Sequence, residues 1–297
     1  MPTLKEIKGR IGSVKSTLKI TSAMKLVSSA KLRKAQVAIE AMRPYEEALQ
    51  DILASVKIPG QEVVKPETEG VVPDTDRASS DRAPKPTAIV AMASNSSLCG
   101  GFNSNIIAKV RSERCPGDVI YSVGRKMADA MRRDGFTSPE DLNDLVEHPA
   151  YSPAAALVEK LAHEVEEGRY ARVLLVYTHF VSTARQVPVA EQLFPAVAVI
   201  PDTNPVMPGS DRVSEDVLIE PGKKELLESL LPKTLKLKLY AALLDSVAAE
   251  HAARTVAMQT ATDNAENLLS ELTLQYNKGR QQKITAEILD LAGGQTE

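Results

Sequence analysis

The sequence predicts an α/β protein with long terminal helices, in which an antiparallel N/C-terminal coiled coil carries an inserted α/β domain. Two observations predict this architecture. Apolar side chains repeat at steps of three and four residues at both ends of the chain, whereas the middle contains short runs rich in Val and Ile. An apolar stripe along a helix needs a second helix to cover it, so we expect the two ends to pair with each other.

The first long helix is predicted over about residues 3–57, roughly 80 Å at 1.5 Å per residue. Thr3 and Glu6 have the spacing of a capping box at its start. Between residues 22 and 31 the three-four step of apolar residues slips, and the side chains are small or charged. We expect this segment to face a partner. The apolar stripe before and after it comprises Leu4, Ile7, Ile11, Val14, Leu18, Ile39, Met42, Leu49, Leu53 and Val56.

The second long helix is predicted over about Lys233–Leu291, near 90 Å by the same rise. Pro232 is expected to mark its start or a kink, because proline is tolerated only in a first helical turn. Gly293 and Gly294 are expected to end it. Its stripe comprises Tyr240, Leu244, Val247, His251, Arg254, Met258, Ala261, Ala265, Leu268 and Leu272.

Strands and helices are predicted to alternate between the two long helices. The predicted strands are Thr87–Ala93, Asp118–Val123 and Arg172–Thr178. The predicted helices lie near Asn103–Ser112, Arg125–Arg133 and Pro153–Glu167. This alternation is typical of a small Rossmann-like domain with a largely parallel sheet, and Pro201–Glu215, with three prolines, leads out of it.

The sequence therefore divides into four parts. We expect a coiled-coil helix over residues 1–58, a proline-rich loop over 59–86, the inserted α/β domain over 87–215 and a second coiled-coil helix over 216–297. The loop has five prolines among acidic, Ser and Gly residues, a composition typical of a flexible or partly ordered surface insertion.

Charge is unevenly distributed along the chain. The net charge is −3, but residues 1–35 contain nine basic residues and one acid. Binding of nucleic acid or of a membrane surface is disfavoured, because the other long helix already needs the apolar stripe of this segment. An acidic protein partner is the sharper hypothesis, and a solvated charged face is the alternative. No apolar run approaches the roughly 18 residues that span a bilayer, so membrane contact is expected only through partners.

No catalytic, cofactor-binding or metal-binding residue is predicted. Ser94–Asn103 joins a strand to a helix, but its glycines lack the spacing of phosphate loops, so a tight turn is favoured over nucleotide binding. Cys99 is expected to be a structural thiol, and with Cys115 it shows no disulfide or metal spacing, which favours a reducing compartment. The four histidines are scattered: His148, His163, His179 and His251.

The segment Tyr276–Asp290 is polar almost all round for two turns, with few apolar positions before Ile284. Such a helix is not expected to pack simply on a core. A solvated helix end with ordinary intrahelical pairs is the alternative.

Three motifs together resemble the gamma subunit of F-type ATP synthases, over essentially the whole chain. The first is Ile20–Val27 followed by Ala30–Ala35, the second is Leu98–Asn103, and the third is Tyr276–Ile288 followed by Gly293 and Gly294. The chain departs from the family at Asn95, Ser96 and Ser97, where Asp, a basic residue and Gly are usual. It also has Gly279 in place of a usual Ala, and a long insertion between Pro59 and Pro86.

The resemblance implies a non-catalytic rotor. The coiled coil would stand inside a ring of three alpha and three beta subunits, and the inserted domain would lie beside the epsilon subunit and the c-subunit ring, on the cytoplasmic face of a bacterial inner membrane. Proton flow would turn the shaft and drive ATP synthesis, with no cofactor. Beta-subunit contacts would come from Met24, Lys25, Arg280, Gln281, Thr285 and Glu287.

Two other function classes are compatible with parts of the sequence. A static coiled-coil adaptor would explain the helices but not the polar C-terminal segment. A nucleotide-using α/β enzyme with helical extensions would require ATP binding and turnover by the isolated chain. The coupling ion, the dominant direction of catalysis, the role of the proline-rich loop and the redox state of the cysteines are left open.

Overall fold

A computed structural model describes residues 3–55, 85–195 and 222–293. The elements, in chain order, are α1 (Leu4–Ser55), β1 (Thr87–Met92), α2 (Phe102–Glu113), β2 (Val119–Val123), α3 (Arg125–Arg133), α4 (Asp144–Glu147), α5 (Tyr151–Glu166), β3 (Arg172–Phe180), β4 (Gln186–Phe194) and α6 (Lys223–Gly293). The predicted proline-rich loop, apart from Lys85 and Pro86, and the predicted exit segment Pro201–Glu215 lie outside the described residues.

Helices α1 and α6 pack against each other in opposite directions. Leu4, at the start of α1, lies against Gly279 near the end of α6, and Thr262 donates a hydrogen bond of 3.0 Å to Thr21, further along α1. Moving forward along α1 therefore means moving back along α6, which confirms the predicted antiparallel pair. We call this pair the shaft. Its best-buried apolar cluster comprises Leu32, Ala35, Val247, Ala248 and Ala252.

The buried stripe of α1 does not slip between residues 22 and 31. Thr21 and Ser28 are buried, with 8% and 3% of their surface exposed, and Lys25 between them is half-buried. The three-four step of burial thus continues from Leu18 to Leu32. The expected slip was wrong because small hydroxyl side chains, which break the apolar pattern in the sequence, fill the seam between the helices.

The helix ends follow their capping chemistry. The backbone N–H of Glu6 donates to the Thr3 hydroxyl at 3.3 Å, and the N–H of Thr3 donates to the Glu6 carboxylate at 3.0 Å, which confirms the capping box. Helix α6 begins at Lys223, so Pro232 does not mark its start, and a kink at Pro232 stays a prediction. The residues before Pro232 include Lys, Glu and Leu, which favour helix strongly enough to extend it through one proline.

The inserted domain is a mixed four-stranded sheet in the order β2-β1-β3-β4. The first three strands are parallel, as predicted, and β4 runs antiparallel to β3. The prediction missed β4, which contains Pro188. Proline cannot donate to a sheet, and it is tolerated here because β4 is at the edge of the strand order.

Helices cover both faces of the sheet. Ile106 and Val110 of α2 and Met127 and Met131 of α3 pack on one face. On the other face, α5 packs together with residues of α6 that are part of the same buried cluster: Leu239, Ala242 and Leu243. Helix α6 is therefore half of the shaft and also part of the core of the inserted domain.

Gly279 offers a test of the helix pairing. A Cβ added there would lie 3.1 Å from Leu4 Cδ2, the end of a flexible, half-buried side chain. We expect Gly279→Ala to raise the free energy of unfolding by up to about 1 kcal/mol, because Ala favours helix over Gly and Leu4 can move aside. Gly279→Leu should lower it. Chemical denaturation measures the free energy of unfolding of both variants. The expectation is contradicted if Gly279→Ala is no more stable than the unsubstituted chain and Gly279→Ala with Leu4→Ala is no more stable than Leu4→Ala alone.

The threonine pair in the seam gives a second prediction. Thr21→Val removes the acceptor of the Thr262 hydroxyl in a buried position, so we expect a loss of about 1 kcal/mol in the free energy of unfolding. Thr21→Val with Thr262→Val removes both hydroxyls and should restore most of the loss. A double variant that is less stable than Thr21→Val alone would show that the pair does not act as a unit.

Candidate partner-contact surfaces and the loop on the shaft

One side of α1 exposes large apolar side chains. Ile20, Leu26, Val27 and Val37 are each more than half exposed, at 59%, 70%, 58% and 57%. Basic side chains are exposed near them: Lys19, Lys31 and Lys34. An exposed apolar face flanked by cations fits a protein partner whose surface is acidic and partly apolar.

Met24 and Lys25 lie at the edge of this surface. Both are half-buried, and Lys25 occupies the seam position between Thr21 and Ser28. The most exposed positions of the segment are instead Leu26 and Val27, so the structure places the two predicted contact residues beside the exposed face and not at its centre.

Helix α6 extends beyond the start of α1. After Gly279, which contacts Leu4, α6 continues to Gly293, roughly 20 Å further at 1.5 Å per residue. Every side chain from Arg280 to Leu289 is exposed, and three of these are large and apolar: Ile284, Ile288 and Leu289. We call residues 280–293 the tip. No other described part of the chain packs on residues 280–289, which explains the polar sequence of this segment.

The four predicted contact residues on the tip are all exposed. The Thr285 hydroxyl donates to the Gln281 carbonyl at 2.9 Å, and Glu287 lies 3.7 Å from Lys283 in an ion pair one turn apart. The side chains of Arg280 and Gln281 have no hydrogen-bond or ion-pair partner within the described residues. A cation and an amide that make no internal bond are available to bind a partner.

The loop between β1 and α2 is held rigid by its own polar side chains. The Ser94 N–H donates to Asn103 Oδ1 at 3.1 Å, and Asn103 Nδ2 donates to the Cys99 thiol at 3.1 Å. Cys99 is 1% exposed, as expected for a structural thiol. Leu98 has a left-handed backbone, with φ of 68°, and its side chain is 60% exposed. The loop therefore presents Leu98 to the surroundings.

Asn95 ties this loop to the rest of the inserted domain. Its Oδ1 accepts from the N–H of Arg125, the first residue of α3, at 2.9 Å. Its Nδ2 donates to the Asn143 carbonyl and to the Glu147 carboxylate, both at 3.0 Å. This gives a physical reason for the departure from the family pattern, because an Asp at position 95 would have no donor for Glu147 and would repel it.

A buried ion pair on α6 reaches the same loop. Glu250 and Arg254 are 5% and 7% exposed, and Arg254 Nη1 lies 2.5 Å from Glu250 Oε1. Arg254 Nη2 donates to the Ser96 hydroxyl at 2.8 Å, and the carbonyls of Ser96 and Ser97 lie at 3.4 Å and 3.3 Å. Burial raises the pKa of Glu250, and the charges of Arg254 and Lys31 oppose that rise.

His251, next to this pair, is held neutral. Burial, together with the positive charges of Arg254 and Lys31, lowers its pKa to about 4. Its Nδ1 is buried without a hydrogen-bond partner in the described part of the chain. His179, near the end of β3, has its Nδ1 2.5 Å from Asp245 Oδ2.

Across residues 3–55, 85–195 and 222–293, no group of three or more His, Cys, Asp or Glu side chains is arranged to hold a metal ion. No helix in those ranges is long and apolar enough to cross a bilayer.

The comparisons with known proteins agree over the whole chain. A profile of the family described as "ATP synthase" matches residues 3–296. The ATP synthase gamma chain of Phocaeicola vulgatus is 45% identical over 302 residues, covering 99% of both chains. That of Bacteroides thetaiotaomicron is 42% identical over 311 residues, again with 99% of both chains covered. The chain belongs to the ATP synthase gamma family.

Solved structures similar to this gamma chain show the same fold. The rotor of the Euglena gracilis mitochondrial ATP synthase matches 95% of this chain and 98% of that chain, with a TM-score of 0.63 and 20% identity. The central stalk and c-ring structure from Tetrahymena thermophila matches 82% and 99%, with a TM-score of 0.54 and 23% identity. Family membership confirms the predictions of an ATP synthase gamma subunit and of a non-catalytic chain.

The apolar periodicity placed Arg254 in the seam between the two long helices, but it did not predict the hydrogen bonds from Arg254 to the loop between β1 and α2. The one signal of this contact in the sequence is an Arg within an apolar stripe, since a buried guanidinium needs hydrogen-bond acceptors. The acceptors, Ser96 and Ser97, are about 160 positions earlier in the chain, and only the fold brings them to Arg254.

The neutral state of His251 predicts a pH dependence. The pKa of His251 is about 4 in the folded chain and near 6.5 in the unfolded chain. Above about pH 6.5 the ring is neutral in both states, so its burial causes no pH-dependent loss of stability there. Below that pH the unfolded chain binds the proton more tightly, and stability falls until about pH 4. We expect a loss on the order of 2 kcal/mol across this window, with partial exposure of the ring taken into account.

Unfolding by urea at several pH values measures this loss. His251→Gln should flatten the profile between pH 6.5 and 4, whereas the matched control His163→Gln, at an exposed histidine of α5, should keep the profile of the unsubstituted chain. Equal slopes for the two variants would exclude His251 as the cause.

Proposed function

We propose that this chain is the central rotor of an F-type ATP synthase, and that it couples proton flow and rotation of a c-subunit ring to ATP synthesis in a ring of three alpha and three beta subunits. The same contacts would regulate ATP hydrolysis. The observation that supports this most directly is the end of the shaft, where a single helix with an exposed surface continues past its partner for roughly 20 Å.

The chemistry of this rotor is mechanical. An asymmetric rod touches three identical catalytic subunits differently at any instant, and it can bias each toward a different conformation. The bias is limited to the difference in contact free energy between those conformations. Helix α6 is suited to this task because it is a continuous element from the core of the inserted domain to the tip, so displacement of one end moves the other.

Two regions are the proposed contacts with the beta subunits. Met24 and Lys25 on α1 would face an acidic segment of the beta subunit, next to the exposed apolar face of the same helix. Further contacts would come from the tip, through Arg280, Gln281, Thr285 and Glu287. Exposure of all four tip residues, and the absence of internal partners for Arg280 and Gln281 in the described chain, support this assignment.

The inserted domain is proposed to lie at the foot of the shaft, beside an epsilon subunit and the c-subunit ring. The complex would place this chain on the cytoplasmic face of a bacterial inner membrane, where it reaches the membrane only through its partners.

A static coiled-coil adaptor is the alternative from another class. Reconstitution with alpha and beta subunits separates the two hypotheses: a rotor changes the rate of ATP hydrolysis by the hexamer, whereas an inert spacer leaves it unchanged. Co-purification at one copy per three alpha and three beta chains is expected of the rotor.

The tip residues provide the sharper test. We expect Arg280→Ala with Gln281→Ala to lower ATP turnover of the assembled complex about tenfold, because a charge-assisted hydrogen bond that forms in only one conformation contributes roughly 1.5–3 kcal/mol. The fold should be unaffected, as judged by circular dichroism and thermal unfolding of the isolated chain.

Ser270→Ala with Glu271→Ala is the matched control, since both residues are exposed on the same helix but lie where α6 is still paired with α1. Turnover equal to the unsubstituted complex in the tip variant would remove Arg280 and Gln281 from the mechanism.

A further inference from the structure

The inserted domain contacts α6 over several turns of the helix. Leu239, Ala242 and Leu243 enter the core of the domain, Asp245 binds His179 and the N–H of Phe180, and Ala249 packs against Cys99 and Phe102. Further along α6, Arg254 makes a polar attachment to the loop between β1 and α2. Residues 242 and 254 are roughly 18 Å apart along the helix axis. A directional contact at this distance from the apolar core opposes rocking of the domain on the helix more effectively than the contacts nearer to that core.

The polar attachment is directional and well supported. Glu250 holds the guanidinium from one side, and the Ser96 hydroxyl, 2.8 Å from Nη2, accepts from it on the other. The carbonyls of Ser96 and Ser97 add acceptors at 3.4 Å and 3.3 Å. A buried cation needs such acceptors, because desolvation without them is costly. Hydrogen bonds also require alignment, which apolar contacts do not.

Hydrogen bonds within the inserted domain hold in place the loop that binds Arg254. The Asn95 side chain, adjacent to Ser96, binds both the first N–H of α3 and the Glu147 carboxylate. Asn103 binds the backbone of Ser94 and the thiol of Cys99. Movement of Ser96 relative to α6 therefore requires movement of the inserted domain as a whole.

We propose that Arg254 is a positioning residue, and that its bond to Ser96 fixes the angle of the inserted domain on the shaft so that rotation applied to the domain reaches the tip undiminished. We call the Arg254–Ser96 contact the joint. Its consequence for rotation rests on the proposed rotor function, whereas the joint itself is a property of the isolated chain. Ser96 is one of the positions at which this chain departs from its family, where a basic residue would face Arg254 with a like charge.

Ser96 and Ser97 give a matched pair of variants. Both are exposed serines of the same loop, but Arg254 binds the hydroxyl of Ser96 and only the carbonyl of Ser97. Ser96→Ala should therefore weaken the joint, and Ser97→Ala should not. Neither substitution removes a buried apolar group, so both chains are expected to fold.

Hydrogen exchange of the full-length chain is the first measurement. In Ser96→Ala the N–H groups of Phe102 and Arg125, which depend on the loop, should exchange about fivefold faster, the factor that corresponds to one hydrogen bond of ordinary net strength. Ser97→Ala should match the unsubstituted chain. If the N–H groups of Phe102 and Arg125 exchange at the same rates in Ser96→Ala and Ser97→Ala, the Ser96 hydroxyl does not hold the loop to Arg254 and the proposal is overturned.

Proton pumping by the complex reconstituted in lipid vesicles is the second measurement. Ser96→Ala and Arg254→Lys, which keeps the charge but lacks the planar fork, should lower the number of protons pumped per ATP hydrolysed, and Ser97→Ala should not. Faster exchange with an unchanged pumping ratio would overturn the positioning role. If the unsubstituted chain neither alters hydrolysis by the hexamer nor supports pumping, the proposed rotor function fails instead, and the exchange result stands independently.

Discussion

Antiparallel packing of α1 on α6 sets the positions of the shaft and of the described inserted domain, because α6 belongs both to the shaft and to the core of that domain. If α6 packed only on α1, the two helices would form a simple rod. If α6 packed only on the sheet, the chain would be a small α/β protein with a free N-terminal helix. By doing both, α6 joins the two into one body, and the surface left over at the tip is free for partners.

The seam of the shaft contains polar groups as well as apolar ones. Thr21 and Thr262 bind each other across it, and Glu250 with Arg254 forms a buried ion pair further along. Such groups add little stability compared with apolar side chains of the same size, since each must first lose its water. The Thr21–Thr262 bond joins the two helices and forms in one register only, so it distinguishes their correct alignment from shifted ones. The Glu250–Arg254 pair lies within α6 and orients Arg254 toward the loop instead.

Periodicity predicted the parts of the fold that depend on local pattern: the two long helices, their pairing, three strands and the helices between them. It failed where the signal was not apolar. The small and charged side chains of residues 22–31, Ser28 among them, looked like a slip, and Pro188 concealed an edge strand. The exposed tip was predictable because its polar sequence is local, whereas the contact of Arg254 with Ser96 depends on residues that only tertiary structure brings together.

The contact between Leu4 and Gly279 marks a change in the mechanical character of the molecule. Up to that level two helices share any load, and beyond it one helix bears the load alone. A single helix bends more easily than a packed pair, so the final segment is the most compliant part of the rod. Thermal bending is therefore greatest in the final segment, while a rotation of the stiff pair below still carries that segment with it because α6 is continuous.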